Sequence, residues 1–104
     1  MKNNLAYICS PYRGNVYQRI RNITYAKYIT YMALKLGYTP ITTHLYLTKV
    51  LNDAIPAQRQ QGLNAGKNIL NNCDTIIIGI RYGISRGMEV EIAAAAGKNT
   101  IILI

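Results

Sequence analysis

Four short apolar segments alternate with longer segments of mixed polarity along the chain. The apolar runs occupy residues 5–9, 39–43, 75–78 and 100–104. Runs of this length, rich in Ile, Leu and Thr, are typical of strands that are buried in a parallel sheet. The pattern therefore predicts four parallel strands.

The segments between these runs carry helical signals. Segment 16–36 has apolar residues at helical spacing on one face: Ala26, Ile29, Ala33 and Leu36. Gly37 is suited to follow this helix, and Pro40 prevents its continuation. Pro56 suits the first turn of a helix over 56–71, and residues 45–53 predict a short helix or an ordered loop. Ser85 is a good N-cap for an Ala-rich third helix.

The alternation of strands and helices predicts an α/β protein with a single domain over residues 1–104. We expect a Rossmann-like three-layer fold, with a four-stranded parallel sheet in the flavodoxin-like order 2-1-3-4. The strand order then reverses between the first and third strands, and ligands of such sheets bind outside the strand ends at that point.

Two loops border the predicted crevice. The loop after the first strand supplies Ser10, Tyr12, Arg13 and Gly14, and the segment after the third strand supplies Gly79, Ser85, Arg86, Gly87 and Glu89. The helix dipole favours an ionised Glu89, which could act as a nucleophile or accept from a sugar hydroxyl. Alternatively, Glu89 and Glu91 only complement the dipole. There is no Walker motif and no G-x-G-x-x-G fingerprint, so P-loop hydrolysis and NAD oxidoreduction are disfavoured.

Two further residues are candidates with an equally good structural interpretation. His44 follows the second strand, where it could contact a ligand or serve only in packing. Arg59 precedes Gly62 by almost one helical turn and could point into the same crevice or into solvent.

The charge balance favours an anionic partner. Twelve basic residues oppose four acidic ones, for a formal net charge of +8. The basic residues are scattered, which favours a compact phosphate site and makes nucleic acid an unlikely partner. Cys9, Cys73 and a single histidine do not form a metal-ligand pattern, so we expect no metal or other cofactor and two reduced, buried thiols. The absence of an apolar run of about 20 residues predicts a cytoplasmic protein without a membrane span.

Five motifs give the chain a resemblance to a known superfamily: YICSPYRG at 7–14, GYTPITTH at 37–44, Arg59 with Gly62, CDTIIIG at 73–79, and SRGMEVEIAAAAGK at 85–98. They resemble the nucleoside 2-deoxyribosyltransferase superfamily, and in particular a short phage and bacterial domain of unknown function classed beside it. In the transferases, a Gly-Met-Glu segment ten residues ahead of a Gly-Lys carries the nucleophile, which corresponds here to Glu89. The short domain shows its glutamate at the position of Glu91, so the assignment stays open between the two.

The resemblance implies attack by a glutamate on the anomeric carbon of a 2-deoxyribonucleoside or its 5′-phosphate, giving a glycosyl-enzyme. It implies that Ser10, Arg13 and Ser85 hold the phosphate or sugar, and that Tyr12 stacks on the base. It also implies a homo-oligomer, a dimer or higher, because the transferases complete each site across a subunit interface. The loop from Gly79 to Ser85 lacks the acidic residue that the transferases keep there.

Two functions of different classes follow. The first is binding of a nucleotide or nucleoside phosphate with cleavage or transfer at its N-glycosidic bond. The second is binding without turnover, as in a phage protein that sequesters a nucleotide immune signal such as a cyclic ADP-ribose in the host cytoplasm. The resemblance and the basic composition suit either.

Overall fold

The computed structural model describes residues 2–104, which form a sheet flanked by helices. The strands are β1 (Leu5–Cys9), β2 (Thr39–Ile41), β3 (Thr75–Gly79) and β4 (Asn99–Leu103). The helices are α1 (Val16–Lys35), α2 (Leu47–Val50), α3 (Pro56–Asn72) and α4 (Arg86–Ala94), and a 3₁₀ turn covers Thr43–Leu45. The predicted α/β class is confirmed.

All four strands are parallel and lie in the order β2-β1-β3-β4, as predicted. Tyr7 of β1 pairs with Ile41 on one side and Ile76 on the other, which fixes the register at the centre of the sheet. The reversal of strand order therefore falls between β1 and β3, and the loops that follow these two strands leave the same edge of the sheet.

Alternation along the strands divides the core into two layers. On one face, Ala6, Ile8 and Ile77 pack with α1 through Tyr25, Ile29 and Ala33. On the other face, Tyr7, Cys9, Ile76 and Ile78 pack with α3 and α4 through Leu70, Cys73, Met88 and Ala95. Both cysteines are buried and free, as expected. Helices on both faces of a parallel sheet complete the three-layer fold.

Several predicted boundaries shift by one or two residues. The second strand is shorter than predicted, because Thr43 enters the 3₁₀ turn with its side chain directed toward Tyr7. Leu36 follows α1 and is exposed, so the predicted apolar face of this helix ends at Ala33. The short helix expected within 45–53 is α2. No helix within the described range 2–104 is long and apolar enough to cross a bilayer.

Candidate functional site

The loop after β1 is held in place by a buried side chain of α1. The Asn22 side chain is 1% exposed, and its amide nitrogen donates to the carbonyl oxygens of Tyr12 at 3.2 Å and Arg13 at 3.4 Å. Gly14 has φ +152°, and a Cβ there would lie 2.5 Å from the Gln18 side chain. The loop is therefore fixed at residues 12–14, by a buried amide and by a glycine turn.

This loop forms one wall of a groove of about 680 Å³ that we call the arginine groove. Its lining residues come from the β1–α1 loop, α1, α2, the segment before α3, and α3 itself: Tyr12, Arg13, Gly14, Arg19, Thr48, Leu51, Asn52, Asp53, Ala54 and Arg59. The guanidinium of Arg13 lies 3.5 Å from the Asp53 carboxylate, and both side chains are about half exposed. An ion pair so exposed to solvent contributes little to stability. Three guanidinium groups thus share the groove with one carboxylate.

The groove also lies at the N-terminal ends of α1 and α3. Neither helix has an acidic residue in its first turn, although carboxylates are the groups that the helix dipole favours there. Arg19 and Arg59 instead follow the starts of these helices. Both dipoles and the arginines therefore favour an anion in the groove.

Two side chains predicted to contact the ligand stack on each other at the edge of this groove. The rings of Tyr12 and His44 are 5.1 Å apart with an angle of 16° between their planes. Burial lowers the pKa of His44 below its ordinary value of 6.5, while the Ser10 backbone and the Asp53 charge act in the opposite direction. Ser10 is itself buried, and its hydroxyl has no hydrogen-bond partner among residues 2–104. The neutral imidazole of His44 and the unpaired hydroxyl of Ser10 thus lie behind Tyr12, and neither residue itself lines the groove.

A second polar group, the Glu91 corner, consists of Tyr7, Cys9, Thr43 and Glu91. The Tyr7 hydroxyl donates to one carboxylate oxygen of Glu91, and the Cys9 thiol donates to the other at 3.6 Å. The Tyr7 hydroxyl also lies 3.4 Å from the Thr43 hydroxyl. Thr43 of the corner is followed in the chain by His44, and His44 stacks on Tyr12, which lines the arginine groove. The corner and the groove are therefore linked by one peptide bond and one aromatic contact.

Burial sets the protonation of the Glu91 corner. It raises the pKa of Glu91 above its ordinary value of 4.5, and the hydrogen bonds from Tyr7 and Cys9 partly oppose this rise. Burial, followed by the nearby Glu91 charge, also raises the pKa values of Tyr7 and Cys9. Both therefore keep their protons at neutral pH and act as donors to the carboxylate.

The start of α4 separates the two glutamates. Ser85 is the N-cap, as predicted, and accepts from the Met88 amide at 3.3 Å. Met88 faces the core, and Glu91, three residues later, lies on the same side of the helix. Glu89 lies in the first turn and is exposed. Of the two glutamates, only Glu91 forms hydrogen bonds to β1, through Tyr7 and Cys9.

The remaining predicted site residues lie away from the arginine groove. Arg86 and Gly87 are exposed at the start of α4 and line no part of the groove, and the space above Gly87 is open. Gly79 lies beneath the ring of Tyr25, and a Cβ at this position would approach that ring to 2.8 Å. The missing side chain of Gly79 therefore makes room for an aromatic ring of α1.

Sequence reasoning missed three residues that build these sites. Tyr7 is a tyrosine on a buried strand, and a buried tyrosine hydroxyl needs a polar partner. This requirement could have indicated that Tyr7 contacts a polar side chain. Arg19 could have been found as a basic residue near a helix start that lacks acidic residues. Asn22 interrupts the buried face of α1, and a buried amide in that position indicates hydrogen bonds to a neighbouring loop.

Comparison with known families gives one match. The profile of a family described as a domain of unknown function, DUF7768, matches residues 4–104. No curated protein matches the chain. Within residues 2–104 no group of three or more His, Cys, Asp or Glu side chains is arranged to hold a metal ion.

Proposed function

Since the chain belongs to the DUF7768 family, whose description names no activity, we propose a function from its own residues: the arginine groove binds the phosphate of a nucleotide or nucleoside phosphate. The observation that carries this proposal is the convergence of Arg13, Arg19 and Arg59 on one groove. Guanidinium groups bind phosphate through paired N–H donors, and the starts of α1 and α3 add the positive ends of two helix dipoles.

The surroundings of the groove suit the rest of a nucleotide. Tyr12 lines the groove with its ring stacked on His44, so a base can extend an existing stack. The unpaired hydroxyl of Ser10 is buried two residues before Tyr12 and does not line the groove, and we assign it a hydrogen bond to the sugar of the bound ligand. A small ligand with a ring, a sugar and a phosphate matches this set better than a bare anion does.

Calorimetric titration with dAMP and with deoxyadenosine tests the phosphate assignment. We expect dAMP to bind at least about tenfold more tightly, because only dAMP offers charge-assisted hydrogen bonds to the arginines. Arg59→Gln should weaken dAMP binding by about tenfold or more on the same grounds. Lys67→Gln is the matched control, since it removes one charge from the same helix outside the groove.

Equal affinity for the nucleoside and the nucleotide, or unchanged binding in Arg59→Gln, would overturn the assignment. Nucleic acid as the true ligand would produce a different result, with affinity for an oligonucleotide far above that for dAMP and falling steeply with salt.

A second candidate, cleavage of the N-glycosidic bond, is favoured by the Glu91 corner. We propose Glu91 rather than Glu89 as its nucleophile, because Glu91 is held against β1 by two donors, Tyr7 and Cys9. The ionised carboxylate would form a bond to the anomeric carbon, and the base would leave with the electron pair of the C–N bond and take up a proton. Water would then attack the same carbon, breaking its bond to the glutamate oxygen, regenerating the carboxylate and releasing the proton that balances the one taken up by the base.

One incubation separates turnover from binding alone. Deoxynucleoside monophosphates, NAD, ADP-ribose and its cyclic isomers are mixed with the protein, and the filtrate and the denatured protein fraction are analysed by chromatography. Free base that disappears in Glu91→Gln but persists in Glu89→Gln supports the second candidate. An intact nucleotide recovered only from the denatured protein rules out turnover and supports a sequestering function.

A further inference from the structure

A second cavity lies on the α1 side of the sheet, separate from the arginine groove. It has a volume of about 360 Å³, and we call it the tyrosine-arginine pocket after its lining: Arg21, Thr24, Tyr25, Tyr28, Arg81 and Tyr82. None of these residues lines the arginine groove. The pocket is built where the exposed face of α1 meets the loop after β3.

Aromatic rings hold both guanidinium groups of this pocket. The guanidinium of Arg21 lies 4.0 Å from the centre of the Tyr82 ring, and that of Arg81 lies 5.5 Å from the centres of both Tyr25 and Tyr28. Contacts through the ring face orient a guanidinium without using its N–H donors. Two guanidinium nitrogens of Arg21 donate to the side-chain oxygen of Asn22, and one of Arg81 donates to the main-chain oxygen of Ile104. The remaining donors are free to bind a ligand.

No acidic side chain of residues 2–104 balances these two charges, and the main-chain oxygen of Ile104, 3.5 Å from the Arg81 guanidinium, is their one partner from the end of β4. The chain has four acidic residues, and none of them lines the pocket. Asp53 pairs with Arg13, Asp74 accepts from the Asn3 amide, and Glu91 belongs to the Glu91 corner. The fourth, Glu89, is exposed at the start of α4. Two cations that share a cavity without an acidic side chain favour an anion between them.

The Tyr25 hydroxyl supplies an independent observation. Tyr25 is 3% exposed and lines the pocket, and its oxygen accepts from the Arg81 amide at 3.1 Å. Among residues 2–104 this amide is its one hydrogen-bond partner, so the Tyr25 hydroxyl does not donate its own proton within the protein. Buried hydroxyl donors are normally paired, so this proton also requires an acceptor.

We propose that the tyrosine-arginine pocket is a second anion site that binds a phosphate group. Arg21 and Arg81 donate to the phosphate oxygens, and the Tyr25 hydroxyl donates its remaining proton. The rings of Tyr28 and Tyr82, which are about 40% exposed, offer an apolar wall to an organic group attached to the phosphate. The site is independent of the ligand proposed for the arginine groove.

Amide NMR spectra of the full chain, titrated with inorganic phosphate and separately with dAMP, test the proposal. We expect saturable shifts at the Arg81 and Tyr82 amides, with chloride at equal ionic strength producing none. Arg81→Gln should weaken this binding by about tenfold or more, and Tyr25→Phe by about three- to tenfold. Lys27→Gln, which removes an exposed charge of α1 outside the pocket, should leave it unchanged.

The amides of Arg13 and Gly14 report on the arginine groove in the same spectra, so the failure of one site is distinguishable from the failure of the other. Equal affinity for phosphate and dAMP identifies the free anion as sufficient, and tighter binding of dAMP identifies an organic phosphate. The proposal is overturned if chloride reproduces the shifts, or if Arg81→Gln, folded as judged by its thermal unfolding, binds phosphate as the wild type does.

Discussion

The loops after β1 and β3 leave neighbouring strands at one edge of the sheet, yet α1 holds them by different means. Asn22 donates from its side-chain amide to two carbonyl oxygens of the first loop. Tyr25, three residues later on α1, accepts from one amide of the second loop and lays its ring over Gly79. The first loop depends on buried hydrogen bonds, and the second depends mainly on space for an aromatic ring.

This difference explains which substitutions each loop should tolerate. Buried donors cannot be removed without leaving carbonyls unpaired, whereas an aromatic contact survives the loss of a hydroxyl and fails when the space beneath it is filled. Each loop also borders one proposed anion site, the arginine groove for the first and the tyrosine-arginine pocket for the second. Changes to one loop should therefore affect one site before the other.

The largest effect should come from Asn22→Ala. The change leaves the carbonyls of Tyr12 and Arg13 without their donor, and we expect it to lower the free energy of unfolding by about 2–4 kcal/mol. Binding of dAMP in the arginine groove should weaken with it, because Arg13 is no longer held. Urea unfolding and calorimetry measure the two effects.

Asn68→Ala is the control for this loss, since Asn68 is an exposed asparagine in the helix α3. Stability close to that of wild type in Asn22→Ala would show that the first loop does not depend on the Asn22 amide.

The second loop should respond to Gly79→Ala. The added methyl group would meet the Tyr25 ring at 2.8 Å, and we expect this overpacking to cost about 1–3 kcal/mol of unfolding free energy. Displacement of Tyr25 should also perturb the Arg81 amide in NMR spectra while the Arg13 amide keeps its position. In Gly87→Ala, where the space is open, a helical alanine should be neutral or slightly stabilising, and a similar result for Gly79→Ala would contradict the steric account.

The sequence was sufficient to predict the strands and helices, because short apolar runs and helix caps are local signals, and right-handed crossovers then left few possible strand orders. Ser85 and Pro56 marked helix starts correctly for this reason. The contacts that build the sites were not predictable in this way. Tyr7 and Glu91 are 84 residues apart, and Tyr25 and Arg81 are 56 apart. Such pairs become neighbours only through the register of the sheet, which no local pattern encodes.

The choice between Glu89 and Glu91 shows that sequence-based prediction has the same limit for residues that are close in the chain. The resemblance placed the nucleophile at Glu89 or Glu91 and left the choice open. Helical periodicity separates them once Met88 is known to face the core, because a residue three positions later shares that side of the helix. That orientation follows from packing of α4 on the sheet.

The smallest expected effect concerns the buried carboxyl of the Glu91 corner, which lies outside both loops. Because burial raises the pKa of Glu91, the native carboxyl keeps its proton to a higher pH than the unfolded one does. The stability that the protonated carboxyl contributes is therefore fully present below pH 4.5, its ordinary pKa, and is lost as pH rises through the native pKa.

Glu91→Gln replaces this carboxyl by a group that does not ionise, so the variant does not lose that stability and should be more stable than wild type at neutral pH by about 0.5–1 kcal/mol. The difference from wild type should vanish below pH 4.5 in denaturant titrations. Glu89→Gln, exposed two residues away, should show no such gain, and an equal gain in both variants would contradict the role assigned to burial at the Glu91 corner.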